Sequence, residues 1–285
     1  MLMMEWKIVI TDCETLLQKK TFHWNGRKIM HLSEVFLELL YHRISCKELL
    51  ILTEKQETLD LANRMHIPVV GLETEDSFHL TGTPYILQGI DAESVCFLER
   101  VYQRYYDLPV IIIETEHLFI REIKKSDTED LFRLYHCKDV QKEVDQAKLN
   151  REELIVFIES YCRVRYPFYD YGMWVIEEKQ TGCFVGEAGI EEDTHFIWKE
   201  KGICLEAGYA ILPEFRKRGY AVEALTGILS YVKEKKKQYL WKRLSCYIRP
   251  ENAASIRIAE RCGLRKEEKR RYGEQKEFEQ YSLKL

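Results

Sequence analysis

A chain of 285 residues with 46% hydrophobic and 32% charged side chains has core enough for two domains of ordinary size, which excludes a disordered or low-complexity protein. Its 43 Lys and Arg stand against 47 Asp and Glu, a net charge of −4, and its basic runs at Lys233–Lys237 and Lys266–Arg271 are interleaved with glutamate, so no nucleic-acid partner is expected. Nine cysteines without a C-x-x-C pair argue against a disulfide framework or zinc ribbon and for a cytoplasmic setting, while the absence of any apolar run near ~18 residues argues against a membrane partner.

From Lys7 to Asp107 short apolar runs alternate with amphipathic stretches. Ile8–Ile10 reads as a strand, and Ser33 as the N-cap of a helix turning Val35, Phe36, Leu39 and Leu40 inward. Leu49–Leu52, Ile67–Val70 and Tyr85–Leu87 read as further strands, with helices over Lys55–Met65 and Glu93–Tyr105. Such alternation implies a parallel sheet covered by helices, a small Rossmann-like α/β domain assigned to residues 1–114. Within it, Ile8–Leu17 (IVITDCETLL) is similar to the D-x-D-G-T-L signature of haloacid-dehalogenase-like phosphatases, and Thr53 fits that family's phosphate-contacting position. Alignment on Thr15-Leu16 puts Thr11 and Cys13 where the family has its two aspartates, and no lysine lies between Lys55 and Lys124 to supply its later one. Thr and Cys bind Mg²⁺ poorly, so the resemblance implies a degenerate, non-catalytic lobe without a metal, with Asp12 a loop acid. A scaffold, a ligand-binding lobe or a dimerisation surface fits that description, which leaves a homodimer open.

Pro109 ends the Glu93–Tyr105 helix region, and Val110–Ile113 reads as an extended connector. The second domain is assigned to residues 115–285. Leu118–Glu122 is a strand; Ser126 and Asp127 offer caps to a helix carrying Leu131, Leu134 and Tyr135; and Glu152–Val164 is a second helix. An aromatic loop, Tyr166–Tyr171, precedes a hairpin of Met173–Glu178 and Cys183–Glu191. Cys204–Leu212 is the next strand. The turn Arg216-Lys217-Arg218-Gly219-Tyr220-Ala221 then opens a helix whose Ala221, Ala224, Leu225, Ile228, Leu229 and Val232 make one apolar stripe. Free N–H groups at a helix start, beside three cationic side chains, suit a bound phosphate. Leu244–Ile248, a helix over Asn252–Arg261 stopped at Gly263, and a hairpin ending at Phe278–Leu285 complete the domain.

Three pieces in this order, LFIREIKKSDTEDL from Leu118, Arg216-x-x-Gly219-x-Ala221, and Asn252-x-x-Ser255 running to Gly263-Leu264, resemble the GNAT superfamily of N-acetyltransferases. Ser255 places the chain nearest the subgroup similar to ribosomal-protein alanine N-acetyltransferases. The resemblance implies a mixed, mostly antiparallel sheet with splayed fourth and fifth strands, acetyl-CoA as co-substrate and a primary amine as acceptor. It implies backbone contacts to pantetheine from Tyr209, Ala210, Ile211 and Leu212. Pyrophosphate contacts would come from Arg216, Lys217, Arg218, Gly219, Tyr220 and Ala221, with Asn252 and Ser255 on the opposite wall. The amine must lose a proton before it attacks, and Glu206 and Glu187 are the strand carboxylates suited to take it. The family's usual acid, a tyrosine seven residues after the asparagine, is Ala259 here, which leaves Ser255 as a donor to the sulfur and raises the alternative of a non-catalytic acyl-CoA sensor.

Overall fold

The computed structural model describes residues 8–11, 28–31, 45–73, 79–90, 94–194, 202–267, 270–272 and 276–285. The chain divides into two compact units, Met1–Val110 and Ile111–Leu285.

The first unit is built on strands β1 (Ile8–Thr11), β2 (Lys28–His31), β3 (Leu49–Thr53), β4 (Val69–Leu72) and β5 (Ile86–Leu87), with helices α1 (Gln56–Arg64) and α2 (Ser94–Tyr105). All pairings are parallel, in the order β2-β1-β3-β4-β5. The run Leu49–Leu52 has no polar face because both faces are covered. Leu50 and Leu52 pack with Val95, Leu98 and Val101 of α2, whereas Leu49 and Ile51 pack with Leu59 and Ala62 of α1. Strand β2 went unanticipated. The Ser33 helix and the Asp12–Leu17 part of the phosphatase-like signature lie outside the described residues. Thr53 is fully buried, and its hydroxyl accepts from Lys55 N–H at 3.0 Å, closing a turn at the end of β3.

The second unit contains β6 (Ile111–Glu114), β7 (Leu118–Glu122), α3 (Thr128–Tyr135), α4 (Arg151–Tyr169), β8 (Met173–Glu178), β9 (Phe184–Glu192), β10 (Ile203–Ile211), α5 (Tyr220–Lys235), β11 (Trp241–Ile248), α6 (Ala253–Arg261), β12 (Arg265–Lys266), β13 (Arg270–Tyr272) and β14 (Lys276–Lys284). Its sheet runs β12-β14-β11-β10-β9-β8-β7-β6 and is antiparallel except between β10 and β11. That one parallel pair is the pair joined through a helix, α5, as a parallel crossover requires. The apolar stripe of α5 is buried as its spacing demands, through Ala224, Leu225, Ile228, Leu229 and Val232.

Two segments differ from expectation. Val110–Ile113, read as a connector, falls largely in β6 (Ile111–Glu114), a strand paired with Phe119–Arg121 at the sheet edge. The second helix also runs on to Tyr169, so most of the expected aromatic loop is its last turn. Pro167 is accommodated there because Tyr166, 1% exposed, ties the turn down. Its hydroxyl accepts from Ile123 N–H at 2.9 Å and donates to the Met173 carbonyl at 2.5 Å. Asp170, in the left-handed region at φ 60°, ends the helix. Asp127 sits at the expected start of α3, but its carboxylate binds Arg121 in a two-point pair at 2.8 Å and accepts from Lys124 N–H.

Candidate active site

The ladder between β10 and β11 stops halfway. It pairs Ile203 with Trp241 and ends at Glu206 and Ser245. Beyond that point β10 stays bonded to β9 as far as Ile211, and β11 to β14 as far as Ile248. Each strand is therefore held on its outer edge while the inner edges separate, and the inward backbone groups of Ala207–Ala210 face a slot. Buried N–H and C=O groups need partners, so such a slot accepts an extended, hydrogen-bonding chain.

At the far end of β10 the chain turns through Pro213–Phe215 into α5. Gly219 sits at the N-cap with φ 89°, a conformation L side chains rarely adopt, and no side chain caps the helix. Nothing lies within 4 Å of the place where a Cβ would stand on Gly219. An uncapped helix start under open space leaves backbone N–H groups of the kind that suit an anion. The basic side chains are used unequally. Arg216 is a brace: its Nε donates to the Ile211 carbonyl at 2.8 Å and its guanidinium pairs with Asp139 at 2.7 Å. Arg218 lies over the Phe215 ring and near Glu178, whereas Lys217 is exposed. The Tyr220 hydroxyl donates to Glu178, and Glu223 accepts from Thr115 and from the His117 backbone N–H, so two carboxylates strap the start of α5 to the neighbouring hairpins. Ala221 is half-buried in that first turn.

Across the slot, Asn252 caps α6, its Oδ1 accepting from Ser255 N–H at 3.1 Å. Ser255 is half-buried, and its carbonyl accepts from the Tyr209 hydroxyl at 3.0 Å. Tyr209 was anticipated only for its backbone; its side chain spans from β10 to α6. Burial pushes that hydroxyl above its ordinary range, so it stays protonated. Ala259 is fully buried.

The other face of the sheet is acidic. Register puts Glu206 directly opposite Glu191, and Glu187 opposite Ala210. Glu187 is buried and accepts from the Tyr135 hydroxyl of α3 at 3.0 Å; burial pushes its carboxyl up to about 7 against that hydrogen bond, with Glu191 adding to the rise. Glu206 is half-buried and likewise pushed up to about 7, by burial and then by Asp193 and Glu191. Glu191 accepts from Tyr161 of α4 at 2.9 Å, and Asp193 accepts from Tyr247 of β11 at 2.7 Å. Glu191, Asp193, Tyr135, Tyr161 and Tyr247 were not anticipated. The alternation Glu187, Gly189, Glu191 along β9, continued by Asp193 just past its end, was the signal that could have shown one acidic face.

Of the aromatic segment, Tyr166 and Tyr171 are buried in the core. Tyr171 packs on Tyr239 and Trp241, with ring centroids at 5.8 and 5.2 Å, at the closed end of the β10–β11 pair.

Residues 117–265 match the family model for the acetyltransferase (GNAT) domain, slightly more than half of the chain. The chain belongs to the GNAT acetyltransferase family. Among curated relatives it is 32% identical to the uncharacterized protein YkkB of Bacillus subtilis over 96 residues, 34% of this chain and 52% of that protein, so the match spans about half of that relative's length. It is 26% identical to the uncharacterized N-acetyltransferase YoaA of Bacillus subtilis over 157 residues, 55% of this chain and 84% of that protein. Among solved structures, a putative ribosomal-protein-serine acetyltransferase from Vibrio cholerae is similar at 26% identity, covering 63% of this chain and 98% of that one with a TM-score of 0.49.

Proposed function

We propose that the second unit transfers an acetyl group from acetyl-CoA, the co-substrate that membership of the family implies, to a primary amine by direct attack in a ternary complex. The observation that carries the reading is the half-open β10–β11 ladder, with an uncapped helix start at Gly219 at one end and Glu206 at the other. Acetyl-CoA supplies an activated thioester. The open backbone edge of Ala207–Ala210 suits its pantetheine arm, the N–H groups of Gly219–Ala221 suit its pyrophosphate, and Asn252 retains an amide NH₂ for the opposite side.

Glu206 is the base. Held near neutrality and half-exposed beside the slot, it takes a proton from the acceptor ammonium. The freed nitrogen lone pair forms the C–N bond to the acyl carbon, the C–S bond breaks with its electron pair leaving on sulfur, and the nitrogen sheds its remaining surplus proton to solvent to give the neutral amide. The Tyr209 hydroxyl, brought to Ser255 on α6, gives that sulfur a proton in the place of the acid lost at Ala259. Glu187, closed in beneath Tyr135, holds the face's charge and orientation and is the second candidate base. We assign the first unit a non-catalytic role as a degenerate phosphatase-like lobe.

Calorimetry with CoA tests the cradle. Gly219→Val puts a branched side chain at φ 89° into the open space over the helix start, at a fold cost of roughly 1–2 kcal/mol. Affinity should fall about a hundredfold or more while thermal unfolding still reports a folded chain; unchanged affinity sinks the phosphate assignment. Amine-dependent thiol release should accompany binding. Tight CoA binding with no release across a broad amine panel would make the protein an acyl-CoA sensor instead.

A further inference from the structure

Five large apolar side chains of the second unit stand exposed among the described residues, and three of them, Val156 at 65%, Val164 at 57% and Phe168 at 77%, belong to α4. With Ser160, also exposed, they fall four residues apart, which at 3.6 residues per turn makes one continuous ridge roughly 18 Å long. Single exposed apolar residues are ordinary on a surface, whereas a contiguous row of them is the mark of a contact. The inner side of the helix is already used: Leu154, Ile158 and Tyr166 are buried, and Tyr161 bonds Glu191.

The charges on the outer face select the occupant of the ridge. Along one flank run Glu152, Glu159 and Arg163, all exposed. Glu159 is shared with Lys125, but Glu152 and Arg163 make no ion pair among the described residues. The flank is therefore acidic toward the N-terminus of α4 and cationic toward its C-terminus, and a covering helix must present the reverse order. A second α4, turned antiparallel, does so. A two-fold axis at Ser160, the smallest side chain of the ridge, sets Val156 of each copy against Val164 of the other. The axis keeps the two charged flanks on the same side. Arg163, three residues past the crossing, then stands opposite position 157 of the second copy, between its Glu152 and Glu159. Rows spaced by four residues interleave in the commonest class of helix packing, and a small residue at the crossing lets the axes approach.

We infer that two copies of this chain pair through α4, the Val156–Phe168 ridges packed antiparallel and Arg163 of each copy set against the acidic flank of the other. A contact of one helix against one helix lies at the weak end of specific interfaces, so the dimer dissociates in the micromolar range. It stands behind the helix that presents Tyr161 to Glu191.

Sedimentation velocity of the full chain over about 1–100 µM tests the pairing. A concentration-dependent shift from monomer to dimer is expected, weaker at high salt because the flanking charges are exposed. Val164→Glu, at a site the fold leaves in solvent, should weaken the dimer at least about tenfold with thermal unfolding unchanged; should it misfold, Phe168→Glu takes its place. Arg163→Glu should also weaken the dimer about tenfold, and adding Glu152→Arg should recover at least about threefold, since the pair is then reversed and no longer like-charged. A monomer at every concentration overturns the inference. So does a dimer indifferent to Val164→Glu, which would put the contact elsewhere, on the first unit for example. Weakening by Arg163→Glu with no recovery in the reversed pair overturns it as well, because Arg163 then faces something other than the acidic flank of a second α4.

Discussion

The two ends of the β10–β11 pair are built from opposite chemistry. At the closed end Trp241, 1% exposed, stacks on Tyr239 at 4.5 Å and meets the edge of Tyr171, and the two strands stay paired through a register shift after Ile203. At the open end the ladder is abandoned, and the surrounding side chains are carboxylates, hydroxyls and the Gln280 amide. Both strands keep their outer partners throughout, so the opening does not come from weak strands. Unmade ladder bonds and buried carboxylates each cost stability, and the aromatic end supplies the packing that offsets them. A binding slot in the middle of a sheet thus depends on a dense anchor a few residues away.

The largest effect expected is on that anchor. Trp241→Ala should destabilise the second unit by about 3–5 kcal/mol, as large-to-small core changes do, read as a lower denaturant midpoint at unchanged slope. A loss below 1 kcal/mol would mean that the closed end is not what holds the strands together.

At the open end, Glu206→Gln should lower kcat/KM by roughly 10²–10⁴-fold. The parent enzyme's rate should climb with pH through about 7, as the Glu206 carboxyl ionises, and the variant should lose that limb. A retained limb would move the base to Glu187.

Glu187 gives the next effect, on stability. Its folded carboxyl holds a proton up to about 7, well above the ordinary value of 4.5, so unfolding releases that proton and stability falls as pH rises between those two values. Glu187→Gln has no such penalty and keeps an acceptor for Tyr135. It should be more stable than the parent above pH 7, by up to roughly 3 kcal/mol, with the gain vanishing near pH 4. Chemical denaturation at both pH values checks this, and a gain that does not change with pH would refute the burial account.

The proposed phosphate cradle was more legible in the sequence than either end of the β10–β11 pair. The cradle is local: a strand, a turn with one glycine and an apolar stripe at helical spacing all lie within Cys204–Lys233, and each was read before any contact was known. Edge strand β6 was not, because four apolar residues suit a connector as well as a strand until Phe119–Arg121 are seen to pair with them. Pro167 suggested a break that Tyr166 prevents by bonding Ile123 and Met173, residues far off or on the next strand. The acidic face was half-read. Glu187 and Glu206 are visible as strand carboxylates, but that Glu206 meets Glu191 is fixed by register, and the tyrosines come from α3, α4 and β11. Local pattern names elements, whereas a face shared across strands is a property of their alignment.

The smallest effect bears on the slot's other wall. Tyr209 stands on the part of β10 whose inner edge is open, and its hydroxyl crosses to α6, where it donates to the Ser255 carbonyl. That bond alone would make it a structural strut, and Tyr209→Phe would then cost about 1 kcal/mol of stability and leave the rate alone. As proton donor to the departing sulfur it has a different signature. Tyr209→Phe should lower kcat about tenfold with little change in CoA affinity, and the deficit should shrink with acyl donors whose thiol is more acidic, since a better leaving group needs less protonation. A deficit of the same size for every thiol would return Tyr209 to the role of strut and leave Ser255 as the donor on that wall.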